Sequence, residues 1–139
     1  MKASGVLVDS NILLDVLEED ALWYEWSSIQ LQNAADCSSL VINPIIFAEV
    51  SVGFNRIEEV DIALSPDIFQ RRPIPYEAAF LAGKCFIRYR KLGGTKHSPL
   101  PDFFIGAHAA VAGLTLLTRD SARYRTYFPS LKLITPDKM

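Results

Sequence analysis

Cysteine is almost absent. Cys37 and Cys85 are the only two in 139 residues, with no C-x-x-C spacing. A disulfide scaffold and a zinc ribbon are both excluded, and reduced thiols in a cytoplasmic protein are the expectation. Histidine is equally sparse, at His97 and His108 alone, so no His-Cys grouping has zinc spacing. No apolar run approaches the roughly 20 residues needed to cross a bilayer, and no basic segment leads into a long apolar stretch at the N-terminus. We therefore expect neither a membrane span nor a secretory signal. No phosphate-cradling G-x-x-x-x-G-K-[ST], no dinucleotide-binding G-x-G-x-x-G and no G-x-S-x-G occurs, which removes the best-marked nucleotide-binding and serine-hydrolase chemistries. Internal repeats, linkers and low-complexity segments are lacking too.

Half of the residues are hydrophobic, enough for a sizeable core, and the length fits a single domain over 1–139. The net charge of −2 hides an asymmetry. Residues 1–70 hold two basic side chains against twelve acidic ones, and residues 71–139 hold twelve basic against four acidic. Such a split suits a polyanionic partner on one face, although a solvated basic surface explains it equally well.

Runs at Val6–Val8, Ser39–Ile42, Thr115–Leu117 and Leu131–Ile134, apolar but for Ser39, Thr115 and Lys132, read as strands. Residues 67–75 read as irregular or as a short strand around Ile74. Between the strands, helical periodicity runs through 12–17, 21–35, 44–54, 56–64, 76–92, 102–114 and 121–128. In the second of these, Leu22, Trp26 and Ile29 keep the spacing of a buried face. Asn43-Pro44 is a strong helix start and Gly93-Gly94 a helix stop. Alternating strands and helices predict a three-layer α/β/α fold around a mostly parallel sheet of four to five strands.

Four acids stand out by position. Asp9 and Asp120 each follow an apolar strand, where ligands of open parallel sheets bind. Glu49 is the only charged residue between Asn43 and Phe54, and Asp102 opens a helix that carries no further Asp, Glu, Lys or Arg as far as Thr118. Each has a plainer explanation: Asp caps helices and suits their N-terminal dipole, and Glu49 could be ion-paired. His108, on the alanine-rich helix, reads as packing or a satisfied hydrogen bond. Together the four acids predict a carboxylate cluster that requires a compensating cation, and oxygen-only sites favour Mg²⁺ or Mn²⁺.

The segments VDSNILLD, the helix containing FAEV, PDFFIGAHAAVAGLTLLTRD and YRTYFPSLKLITP resemble a PIN-domain ribonuclease, specifically a VapC-type toxin of a toxin–antitoxin pair. The resemblance implies Asp9, Glu49, Asp102 and Asp120 as the catalytic and metal-binding quartet, with Ser10, Asn11 and Thr118 as supporting polar groups. It also implies an antitoxin partner and a homodimer. Lys84, Arg88, Arg90, Lys91 and Lys96 are then candidates to hold the RNA backbone. Two competing readings are phosphoaspartyl chemistry and a non-catalytic RNA-binding module. The first lacks a second acid beside Asp9, where the order is Asp-Ser-Asn. The second leaves Glu49 and Asp102 without a role.

Overall fold

The computed structural model describes residues 5–136. Five strands, β1 (Val6–Val8), β2 (Leu40–Ile42), β3 (Phe69–Arg71), β4 (Thr115–Leu117) and β5 (Leu133–Ile134), form one sheet in the order β3-β2-β1-β4-β5, and every pairing is parallel. β1 is central, with Val6 opposite Leu40 on one side and Val8 opposite Leu117 on the other. All three residues of β1 and of β2 are buried, the signature of strands covered on both faces. Seven helices supply the cover: α1 (Ser10–Leu17), α2 (Tyr24–Cys37), α3 (Pro44–Ser51), α4 (Ile57–Ala63), α5 (Tyr76–Lys91), α6 (Pro101–Ala112) and α7 (Ala122–Tyr127). The result is the expected three-layer α/β/α arrangement. Its chain runs from the centre to one edge, then crosses to build the other, so the strand order reverses between β1 and β4. That switch point is where α/β sheets open a crevice at their carboxyl ends.

The elements form for local reasons. Asn43 caps α3, its side chain accepting from the Ile46 amide at 3.0 Å, and Pro44 follows at the first helical position. Asn43 also meets His108 Nδ1 at 3.0 Å, so this buried histidine is satisfied by a hydrogen bond. The small residues of α6 let it lie close to its neighbours. A Cβ on Gly106 would stand 2.4 Å from the Phe128 ring. Gly113 ends α6 in the left-handed region, at φ 69°.

The structure departs from the sequence expectations at two elements. The edge strand lies at Phe69–Arg71 rather than around Ile74. Ile74 stands between Pro73 and Pro75, neither of which has an N–H to donate to a ladder. The second helix begins at Tyr24, not Ala21, because the Asp20 carboxylate holds the Leu22 and Trp23 amides in a preceding turn. With that shift Leu22 is 84% and Ile29 51% exposed, while Ser27 and Ala34 face the core. Trp23 and Trp26 meet edge to face at 6.0 Å. Cys37 is exposed, Cys85 is buried, and both are free thiols.

Candidate active site

Asp9 follows β1 directly. Its own amide donates to Leu117 O across the sheet at 2.9 Å, so the carboxylate is fixed at the switch point between β1 and β4. It caps α1, with Oδ1 accepting from the Ser10 amide at 2.8 Å. Capping and site chemistry thus coexist in one side chain. Its other oxygen, Oδ2, accepts from Thr118 Oγ1 and from the Tyr124 hydroxyl, each at 2.9 Å. Asp9 is only 4% exposed. Burial lifts its carboxyl from an ordinary 3.8 to about 6, and the charge of Asp102 adds to this against the three hydrogen bonds. No basic side chain pairs with it among the described residues.

The other acids converge from different elements. Glu49, half-buried on α3, accepts from Ser10 Oγ at 2.8 Å. Burial raises its pKa, and Asp102 raises it further. Asp102, in the first turn of α6, lies 3.3 Å from the Tyr124 hydroxyl. Its pKa is raised by burial and by Asp120, against the lowering effect of Arg123, whose Nε is 3.8 Å away. Asp102 is therefore the electrostatic hub, felt by Asp9 and Glu49 and itself influenced by Asp120. Asp120 is exposed and reaches the group through its charge. It does not cap α7, where Ser121 holds the cap position.

Ser10, Asn11 and Thr118 form the polar frame between these acids. Asn11 Nδ2 donates to Thr118 Oγ1 at 3.2 Å, and Asn11 Oδ1 accepts from the Arg119 amide at 3.2 Å. This clasp ties α1 to the turn after β4. One turn further along α1, buried Asp15 receives Arg119 in a two-pronged pair at 2.7 and 3.0 Å and Ser27 Oγ at 2.7 Å. The Arg119 guanidinium also lies over the Trp23 ring at 5.0 Å.

Sequence reasoning missed Tyr124, Arg123 and the Arg119–Asp15 pair. Tyr124 is 1% exposed and touches both Asp9 and Asp102. Burial and those two charges push its pKa far upward, so its proton stays on the phenol. Nothing in a single sequence signals a contact spanning 115 positions. The five basic candidates sit on α5 and the loop behind it, and all are exposed. Lys84 lies near the middle of α5, over the Phe80 ring. Arg88 donates to Thr126 O at 3.1 Å and Arg90 to Lys96 O at 2.6 Å, while Lys91 and Lys96 point to solvent.

A cleft of about 470 Å³ lies between this end of α5 and α7, lined by Tyr89, Gly93, Gly94, Asp120, Arg123 and Tyr127, with Asp120 the one of the four acids on its wall. A larger and more apolar groove, about 600 Å³, runs beside Phe47, Ile57 and Arg71 and includes none of the four acids. Asp120 on its wall and Arg123, 3.8 Å from Asp102, place the first cleft beside the carboxylates, and that contact rather than size marks it as the candidate reactive cleft.

The donor set suits a hard cation. Asp9, Glu49, Asp102 and Asp120 offer only oxygen, and the buried Asp9 carboxylate has no cation partner among the described residues. In this conformation no three acidic, histidine or cysteine side chains close around one point among the described residues. The Tyr124 hydroxyl bridges Asp9 and Asp102, while the hydroxyls of Ser10 and Thr118 bond Glu49 and Asp9.

The PIN-domain family model matches residues 6–129, from β1 to the end of α7. This chain belongs to the PIN-domain family. Solved structures carry the same fold at low identity. The PIN domain described here superposes with a TM-score of 0.72 on VapBC2 from Rickettsia felis, bound to a DNA fragment from its promoter, at 17% identity over 96% of this chain and 98% of that one. VapBC-1 from nontypeable Haemophilus influenzae gives 0.72 at 17% identity over 98% and 100%. A toxin–antitoxin complex from Klebsiella pneumoniae gives 0.70 at 23% identity over 97% and 100%. No curated protein matches the chain. No helix among the described residues is long and apolar enough to cross a membrane.

Proposed function

We propose that this PIN domain is a metal-dependent endoribonuclease and the toxin of a toxin–antitoxin pair. The observation that carries the nuclease reading is Asp9: a carboxylate 4% exposed, lifted to about 6 by burial and a neighbouring acid, and lacking a cation partner among the described residues. Such a group is costly to keep unless a cation completes it. Asp9, Asp102 and Glu49 would hold Mg²⁺ or Mn²⁺, and Asp120 would contribute from the rim. A bound divalent ion supplies Lewis acidity and a lowered pKa for an attacking water. The chain's own residues do the rest. Thr118 and Tyr124 orient Asp9, Ser10 fixes Glu49 at 2.8 Å, and the Asn11 clasp holds the turn that carries Asp120. With its raised pKa, Glu49 is suited to take a proton from water. The basic side chains of α5 and its following loop would draw in the RNA backbone without reading its sequence.

The toxin role rests on likeness to a protein seen in the Klebsiella complex. It is supported by the exposed Leu17, Leu22 and Ile29 on and before α2, an apolar surface suited to a partner's amphipathic segment. A homodimer is part of the same proposal. Cleavage of an end-labelled RNA with Mg²⁺ or Mn²⁺, and again in EDTA, tests the chemistry. Products only with the metal are expected, with Ca²⁺ a poor substitute. Equal turnover in EDTA would overturn it. Growth arrest on expression, relieved by the product of the adjacent gene, tests the biology, and harmless expression of an active nuclease would refute it.

A further inference from the structure

The chain places one guanidinium beside the acidic site, and it is bound unlike any other arginine nearby. Arg119 is held two-pronged on buried Asp15. Arg88 and Arg90 spend donors on the carbonyls of Thr126 and Lys96. Arg123 makes no hydrogen bond among the described residues. Its one ion pair among the described residues is with Asp102, Nε standing 3.8 Å from Oδ2, beyond hydrogen-bonding distance. None of the five N–H donors of its fork has a protein hydrogen-bond partner among the described residues.

The same side chain is nonetheless held in place. Its guanidinium carbon lies 5.6 Å from the Tyr89 ring centre and 5.7 Å from that of Phe103. Those rings come from α5 and α6 and meet edge to face at 5.7 Å. Tyr89 is itself fixed, its hydroxyl accepting from the Thr95 amide at 3.2 Å and the Lys96 amide at 3.3 Å. A Cβ on Gly94 would collide with the Tyr89 ring, so the backbone closes over this platform. Arg123 thus stands on aromatic rings at the mouth of the 470 Å³ cleft, with 35% of its side chain exposed. Among the described residues it is the one basic side chain paired with any of the four acids.

We propose that Arg123 is the phosphate-gripping arm of the site: docked loosely on Asp102 in the free protein, it pairs with an RNA backbone phosphate entering the cleft between the end of α5 and α7. The inference rests on the nuclease reading and extends it to a named substrate contact. Four carboxylates repel a polyanion, so RNA needs a cation at the cleft itself, beyond the outlying basic helix. A planar fork with free donors matches a phosphate two-pronged, and its aromatic seat limits the ordering cost. The 3.8 Å contact to Asp102 is weak enough to exchange.

The test compares wild type with Arg123→Gln and Arg123→Lys in the full chain. Binding of RNA is measured in Ca²⁺, the poor substitute for the catalytic ion, across a KCl series, cleavage of the same RNA in Mn²⁺ gives kcat/KM, and Mn²⁺ affinity is measured without RNA by electron paramagnetic resonance. Arg123→Gln is expected to lose roughly ten- to a hundredfold in kcat/KM, as for a charged hydrogen bond. Its slope of log affinity against log salt becomes shallower by about 0.7. Its Mn²⁺ affinity holds or tightens, since a competing cation has left Asp102. Arg123→Lys recovers the salt slope but only part of kcat/KM, lacking the fork. A wild-type slope and rate in Arg123→Gln would overturn the inference. So would RNA weakening accompanied by loss of Mn²⁺ affinity, which would make Arg123 a prop for Asp102. A wild-type chain that cleaves no RNA would overturn the nuclease reading together with the inference, whereas an active wild type with an indifferent Arg123→Gln removes the inference alone.

Discussion

Replacing Asp9 with Asn should abolish cleavage and, in the absence of metal, make the protein more stable at neutral pH. Asp9 is buried, and its carboxyl is lifted from 3.8 to about 6. The folded state therefore holds the Asp9 proton more tightly than the unfolded chain does. Stability from this group is fully present below about pH 4, is lost as pH rises towards about 6, and stays lost above it. At about 1.4 kcal/mol for each pH unit, the ionised carboxylate costs the fold roughly 3 kcal/mol at pH 8. Asn has the same shape without the charge. It cannot keep every partner, because Oδ1 accepts from the Ser10 amide while Oδ2 accepts from Thr118 and Tyr124. One of those sites becomes a donor facing a donor, a loss of about 1–2 kcal/mol. The net gain at pH 8 is about 1–2 kcal/mol, or a Tm rise of roughly 3–6 °C for a chain of this size. Thermal melts by circular dichroism in EDTA, from pH 4 to pH 8, measure it. The Tm difference should grow through the acid range and fade or reverse near pH 4. Saturating Mn²⁺ should invert it at pH 8, since a ligand at a hundred times its Kd stabilises wild type by about 2.7 kcal/mol and the variant hardly at all. An Asp9→Asn protein less stable than wild type by the same amount at every pH would refute the account of Asp9 as an uncompensated buried charge.

Tyr124→Phe removes the hydroxyl shared between Asp9 and Asp102 and should weaken Mn²⁺ binding about ten- to a hundredfold in a direct titration; unchanged affinity would reduce Tyr124 to packing. Arg119→Met strands the buried Asp15 carboxylate with only Ser27, and urea unfolding should show a loss of about 3–5 kcal/mol. A loss below 1 kcal/mol, about the worth of an exposed pair, would mean that Asp15 finds water. Gly106→Ala drives a methyl group to 2.4 Å from the Phe128 ring and should cost about 1–3 kcal/mol in the same assay, with no change expected if Phe128 can swing away.

Much of this molecule is legible without coordinates. Val6–Val8 and Leu40–Ile42 are continuous apolar triplets and Thr115–Leu117 is nearly one, the pattern of strands covered on both faces. Glu49 stands out because an ionised group in an otherwise apolar helix demands a reason, and the reason found is Ser10. The weak edge strand at Phe69–Arg71 was not placed, since one buried residue followed by two exposed ones carries no period. Leu22 and Ile29 were read as buried because spacing records which residues share a helical face, without saying whether anything packs on it.

What the sequence by itself determined is therefore local: the parallel strands, the helix caps at Asp9 and Asn43, and four acids standing where charge is otherwise scarce. Only the tertiary structure decided which of them meet. The reversal of strand order between β1 and β4 brings Asp9 beside Thr118, and the packing of α7 on α6 delivers Tyr124 to Asp9 and Arg123 to Asp102. Those contacts join residues 109, 115 and 21 positions apart. Hydrogen bonds and Coulomb interactions depend on distance in space, which chain spacing fixes only within a helix or a strand. The raised pKa of Asp9 is likewise a product of enclosure, set by the layers that close over the end of β1 rather than by any neighbour in sequence.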